Sequence, residues 1–162
     1  MDASAVVHYG HQHLLRALEG LAPESWTVVG VTTRWSPREL IAHLTSYERL
    51  LADVIRAVLG AGDTRTLDRM RQDAKGFNAA EVRARAELTP EQVLAEYRTA
   101  NEEVVELLAR LTPEQMSAKG TLPWYGAEYS LDDFIVYANY GHKREHAAQI
   151  QAFQRSRVLA AG

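Results

Sequence analysis

Two histidines four residues apart lie near the end of the sequence, in the stretch YANYGHKREHAAQI at residues 137–150. In an α-helix, residues four apart are separated by about 40° around the axis and about 6 Å along it. The imidazoles of His142 and His146 can therefore reach one metal ion. The H-x-x-x-H spacing is weak evidence by itself, because it arises often by chance. The alternative is two ordinary histidines on a shared helix face.

The helix face that carries the two histidines is mostly apolar, which favours placing them toward the interior. Extended in both directions, this face reads Ile135, Ala138, His142, His146, Gln149 and Phe153.

A third histidine lies in a comparable setting. His43 lies among leucines on a second predicted helix, one turn before Tyr47. Two helices of a bundle can direct side chains to the same interior point. Three neutral imidazoles with an open coordination position are typical of a catalytic zinc or nickel site rather than a closed structural one. His11, on the apolar stripe of the first predicted helix, is a competing third ligand or a pocket residue.

The string H-K-R-E-H at 142–146 also matches H-x-x-E-H, the inverted signature of zinc proteases. Such a site needs a further acidic ligand downstream. The 16 residues after His146 contain no Asp or Glu. We therefore reject the protease interpretation and expect Glu145 to face solvent.

Long apolar stripes of period 3.6 predict an all-α protein. The predicted helices run from the region of residue 3 to 19, from Ser36 with Glu39 to about 59, from Thr89 with Gln92 to about 111, and, after a start at Ser130 and Asp133, from about 131 to 157. Four long helices describe a four-helix bundle. The connector between the second and third helices, about residues 61–88, is less regular. Asn78 and Glu81 within it are candidates to cap a short helix.

Length, charge and composition narrow the classes of function. We expect residues 1–162 to form a single domain. The net charge of −3 argues against nucleic-acid binding. The absence of cysteine removes disulfides, thiolate metal sites and cysteine nucleophiles. No apolar run reaches membrane-spanning length and no signal peptide is evident, so we expect a cytoplasmic protein without membrane contact.

Three blocks of sequence, taken in order, resemble one known family. They are RWSPRELIAHLTSYERLL at 34–51, GFNAAEVRARAELTPEQVLAEYRTANEEV at 76–104 and PWYGAEYSLDDFIVYANYGHKREHAAQI at 123–150. From about residue 10 to 155, the chain resembles the DinB/YfiT-like superfamily of small four-helix bundles, which includes maleylpyruvate isomerase and thiol-dependent S-transferases. The Trp-Ser…His and His-x-x-x-His-Ala-Ala-Gln blocks are the most specific parts.

The resemblance implies an up-down-down-up bundle with the long connector crossing between the second and third helices. It also implies a divalent metal ion, often nickel or zinc, held by one histidine of the second helix and two of the fourth. By position these are His43, His142 and His146. Homodimers are frequent in such proteins. The substrate does not carry over, because members of one fold family differ in chemistry.

Our first functional hypothesis is a metal-dependent enzyme that performs thiol-dependent transfer or isomerisation on a small molecule, with hydrolysis left open. Any thiol must arrive as a low-molecular-weight cosubstrate, because the chain has no cysteine. Tyr47, Trp124 and Asn139 are the candidates for substrate contact, with simple packing as the alternative. The second hypothesis is a non-catalytic, metal-binding or dimerising bundle, linked to stress.

Overall fold

The computed structural model describes residues 2–162, and this part of the chain is helical without strands. The α-helices are α1 (Ala3–Leu18), α2 (Pro37–Leu59), α3 (Arg65–Gln72), α4 (Phe77–Ala84), α5 (Pro90–Leu108), α6 (Pro113–Ser117), α7 (Leu131–Phe134) and α8 (His142–Ala161). A short 3₁₀-helix, Pro23–Ser25, follows α1, and a π-helix, Ile135–Gly141, joins α7 to α8.

Four long rods, formed by α1, α2, α5 and the continuous α7–π–α8 segment, make up the bundle. Helix α2 packs mainly along α5, and α1 packs along α8 and the π-helix. This architecture confirms the predicted all-α, four-helix class. None of the described helices is both long and apolar enough to cross a membrane.

Side-chain caps fix where the rods begin, as the sequence predicted. Ser36 accepts a hydrogen bond from the Glu39 backbone N–H, while the Glu39 carboxylate accepts one from the Ser36 N–H. Thr89 and Ser130 form equivalent capping boxes before α5 and α7. These reciprocal bonds satisfy backbone donors that a helix start otherwise leaves without partners. Helix α2 then ends at Gly60, whose φ of 66° places it in the left-handed region.

The connector between α2 and α5 contains two short helices, α3 and α4, both of which pack on α2. Asn78 does not cap α4, because the helix begins one residue earlier and Gly76 precedes it without a side-chain cap. The Glu81 carboxylate instead pairs with Arg69 and Arg85. The predicted short helix exists, but its predicted cap is wrong.

The last rod differs from the single helix predicted for about 131–157. Its π-helical segment has wider turns than an α-helix, and such segments are frequent at functional sites. Ile135, Asn139 and Lys143 are buried in this region. Ala138, which was predicted to lie on the inward face, is only partly buried. The period-3.6 pattern could not anticipate this shift, because it assumes a uniform α-helical turn.

The hydrophobic core consists of two apolar clusters along the bundle. The first cluster includes Val7, Leu51, Val104 and Ile135. The second includes Leu14, Leu44, Val93 and Ile150. Every long rod contributes to both clusters, so each rod passes through a boundary between them.

Candidate metal centre

Three imidazoles from two rods meet inside the bundle. His43 lies in the second turn of α2, whose start is fixed by the Ser36 cap. His142 is the first residue of α8, and His146 follows one turn later. His43 and His146 are buried, whereas His142 is partly exposed.

The Nε2 atoms of the three rings point at one another. The Nε2 atom of His142 lies 2.9 Å from that of His43 and 2.8 Å from that of His146. All three ligand atoms lie within 4.8 Å of one another. Because a neutral imidazole carries one N–H and one lone pair, three such nitrogens cannot all donate to each other. When each ring holds its proton on Nδ1, the three Nε2 lone pairs are directed at one point.

The electrostatics of the cluster keep these rings neutral. Burial, reinforced by the two neighbouring imidazoles, lowers the pKa of His43 to about 3. Burial together with His146 and Lys143 lowers the pKa of His142 to about 4. Burial also lowers the pKa of His146. Neutral imidazole is the form that binds a metal ion.

Neighbouring side chains set the ring orientations. The Nδ1 atom of His146 lies 2.7 Å from the Gln149 side-chain oxygen and donates to it, which leaves the Nε2 lone pair directed at the cluster. The Nδ1 atom of His43 is buried without a hydrogen-bond partner. Packing holds this ring instead, because the Trp35 and Tyr47 rings lie 4.8 and 4.9 Å from it.

The three nitrogens fit a divalent metal ion. Two imidazole nitrogens bound to one ion at about 2.1 Å stand about 3.4 Å apart at the tetrahedral angle typical of zinc, and about 3 Å apart at the 90° angle of octahedral coordination. The observed separations of 2.8 and 2.9 Å agree with the second spacing. Three protein ligands would leave further coordination positions open, as catalytic sites do and structural sites do not.

The predicted substrate-binding residues lie in three different surroundings. The Tyr47 ring lies 4.5 Å from that of His142, and its hydroxyl donates to the Asn78 side-chain oxygen at 3.1 Å. Asn139 is buried, and its amide donates to Glu48. The Trp124 ring packs against Tyr125 and Phe134. Substrate contact by these residues stays a prediction.

Two other residues considered in the sequence, His11 and Glu145, lie outside the cluster. The Nδ1 atom of His11 lies 3.4 Å from the Tyr97 hydroxyl, and the two rings are stacked. His11 is not a member of the metal-ligand cluster. Glu145 is exposed, as expected from its position on the helix.

Sequence reasoning placed Gln149 on the histidine face but missed that it orients a ligand. Gln149 follows His146 by three residues, a spacing that brings side chains together on a helix, and that spacing was the available signal. Trp35 and Asn78 lie outside the helices that carry the histidines, so no periodic signal linked them to the site.

A sequence model of the DinB superfamily matches residues 8–150, a range that contains all three clustered histidines. Among solved structures, the Sibling Lethal Factor Precursor DfsB is similar, with a TM-score of 0.75 at 15% sequence identity, covering 96% of this chain and 95% of that chain. At this identity, the likeness shows a shared fold alone. No curated protein matches the chain.

Proposed function

We propose a metal-dependent enzymatic function for this chain, which belongs to the DinB superfamily. In this proposal, His43, His142 and His146 bind one divalent metal ion, zinc or nickel. The protein then performs thiol-dependent transfer or isomerisation on a small molecule. The observation that carries the proposal is the convergence of three neutral imidazole nitrogens, with one member partly exposed.

A bound divalent ion would supply Lewis-acid chemistry, which lowers the pKa of a coordinated water or thiol. The chain's own residues have separate tasks. Gln149 fixes the proton of His146 on Nδ1, so that Nε2 remains a ligand. The Trp35 and Tyr47 rings pack against His43 and exclude water from its side of the site.

Tyr47 is the best-placed candidate for substrate contact. Its ring packs on both His43 and His142, and its hydroxyl points toward Asn78. Burial raises the pKa of the Tyr47 phenol above its usual value, so the phenol stays protonated at neutral pH. In this proposal the hydroxyl turns its single proton from Asn78 to the substrate or the incoming thiol.

The thiol in this proposal is a small cosubstrate, because the chain has no cysteine to provide one. The fold by itself supports the site more than the reaction, since one fold hosts many chemistries.

A homodimer and a cytoplasmic location stay predictions. Light scattering during gel filtration would measure the mass of the assembly.

Elemental analysis of protein purified without a histidine tag tests the metal site. We expect about one equivalent of zinc or nickel in the unaltered protein, and a loss of affinity of at least about 100-fold in His142→Ala because one of three ligands is removed. His8→Ala is the matched control, because His8 is exposed and outside the cluster. Absence of stoichiometric metal, with unchanged behaviour of His142→Ala, would reject the proposal.

A thiol-transfer screen with several low-molecular-weight thiols tests the reaction. Turnover that depends on both metal and thiol supports the enzymatic proposal. Stoichiometric metal without turnover for any thiol or hydrolysable substrate favours the non-catalytic, metal-binding alternative.

A further inference from the structure

A buried polar layer separates the two apolar clusters of the core. It consists of Glu48 on α2, Asn101 on α5, Asn139 on the π-helix and Lys143 on α8. The side chains of Glu48 and Lys143 are each 1% exposed. On each of these three rods, the layer residue falls between residues of the first apolar cluster and residues of the second.

The Glu48 carboxylate is the centre of the layer. One oxygen accepts a hydrogen bond from the Asn101 amide at 2.8 Å. The other accepts one from the Asn139 amide at 2.8 Å and lies 2.8 Å from the Lys143 ammonium. A single carboxylate thus joins three rods of the bundle.

The layer is not arranged for maximal stability. Desolvation of a buried ion pair commonly offsets its attraction, so an apolar replacement of similar volume is often as stable. The Lys143 ammonium makes no well-directed hydrogen bond, and the Asn139 side-chain oxygen has no partner. A stabilising role alone therefore does not account for these residues.

The buried polar layer lies beside the histidine cluster, which indicates a role in positioning the histidines. Lys143 directly follows His142, and Asn139 precedes His142 by three residues. Glu48 follows His43 by five residues on α2. The contacts of Glu48 therefore join α2 to the last rod. They do so close to His43 on α2 and close to His142 on the last rod. A slip of one residue in the last rod would turn its side chains by about 100° and move the ligands away from His43.

The close approach of α1 holds the same segment from the other side. A Cβ atom at Gly10 would lie 3.2 Å from the Tyr140 ring and 3.3 Å from the Lys143 side chain. Only glycine leaves α1 this close to Lys143 without displacing a neighbour. The aliphatic part of Lys143 is thus enclosed while its ammonium faces Glu48.

We propose that Glu48 is a positioning residue, which holds Lys143 and Asn139 so that His142 and His146 meet His43. This inference rests on the proposed metal function for its purpose, but the contacts it describes are made by the protein's own side chains. Glu48 acts through the rod that it anchors and does not contact the reacting atoms.

The double variant Glu48→Gln/Lys143→Met tests this role, since it removes both charges and keeps similar side-chain volumes. The matched control is Glu81→Gln/Arg85→Met, which removes another buried ion pair, 3.1 Å in length, at α4 and not between the two histidine-bearing rods. The first readout is the intensity of the nuclear Overhauser effect cross-peaks between the ring protons of His43 and His142, measured by NMR on chelator-treated protein. The second is the affinity and absorption spectrum of Co²⁺ bound to each variant.

We expect the Glu48/Lys143 double variant to lose at least two-thirds of the ring-to-ring peak intensity, and to bind Co²⁺ at least 10-fold more weakly with a shifted ligand-field spectrum. The control keeps the peaks, the affinity and the spectrum. If the double variant does not fold, Asn139→Leu repeats the test, because it removes one of the two contacts of Glu48 with the last rod and leaves the buried ion pair intact. Peaks and Co²⁺ binding equal to those of the unaltered protein would overturn the proposal.

The two proposals fail separately. If the unaltered protein binds no metal but the double variant still loses its ring-to-ring peaks, the metal function is wrong and the positioning role stands. If the unaltered protein binds metal and the double variant matches it in both readouts, only the positioning role is wrong.

Discussion

At the scale of single residues, the centre depends on where each imidazole holds its proton. A histidine ligand binds best when its second nitrogen donates to a fixed acceptor, because this sets both tautomer and orientation. His146 has such an acceptor in Gln149, whereas His43 relies on ring packing. The two ligands should therefore respond differently to changes around them.

Gln149→Leu tests the hydrogen-bonded ligand. The substitution removes the acceptor of the His146 Nδ1 proton, so the ring can change tautomer and turn. We expect metal affinity to fall by about 10- to 100-fold, the usual effect of losing an outer partner of a ligand. Competition with a chromogenic chelator measures the affinity.

Gln151→Leu is the matched control, because it makes the same change two residues further along α8, away from the ligand nitrogen. It should bind metal like the unaltered protein. Equal affinities in both variants would show that Gln149 does not orient the ligand.

At the scale of helices, the beginning of α2 decides where His43 lies. Ser36 is buried, and its hydroxyl accepts a hydrogen bond from the Glu39 backbone N–H in the first turn. The Glu39 carboxylate in turn accepts a hydrogen bond from the Ser36 backbone N–H. The cap at the start of α2 is therefore part of how the site is positioned, although Ser36 is not a member of the histidine cluster.

Ser36→Ala removes this cap. We expect the free energy of unfolding to decrease by about 1 to 2 kcal/mol, the upper half of the range for lost N-caps, because the Glu39 carboxylate also loses a partner. Urea denaturation followed by circular dichroism measures the change. Thr99→Ala, at an exposed position within α5, serves as the control and should change stability by less than about 0.5 kcal/mol. A similar loss in both variants would contradict the capping argument.

At the scale of the whole molecule, the buried histidines link folding to proton binding. Burial, with a contribution from Lys143, lowers the pKa of His11 from 6.5 to about 4. Between pH 4 and pH 6.5, the His11 side chain therefore binds more protons in the unfolded chain than in the folded chain. The contribution of His11 to stability is therefore present above pH 6.5 and is lost as the pH falls toward 4.

His11→Gln tests this linkage. After metal removal, the unaltered protein should lose stability between pH 7.5 and pH 5, and the variant should lose about 1 kcal/mol less, a figure that allows for the partial solvent contact of the ring. Thermal unfolding at several pH values measures both. Parallel declines in the two proteins would show that His11 is not a source of the pH dependence.

Much of the fold could be predicted from local sequence. Apolar stripes, Ser36 with Glu39, Thr89 with Gln92 and Ser130 with Asp133 identified the helices and their starts, because capping and amphipathicity are short-range interactions. The π-helix and the start of α4 could not be predicted in this way, since packing against α1 and α2 decides them.

The sequence by itself determined the candidates: His142 and His146 on one helix face, His43 on another helix, and no cysteine that could replace them. Only the tertiary structure decided that their Nε2 atoms converge, that His11 stacks on Tyr97 instead, and that Glu48 joins three rods beside the site. The physical reason is distance along the chain. Helical spacing fixes neighbours four residues apart, whereas contacts between residues about 100 positions apart depend on how whole helices pack.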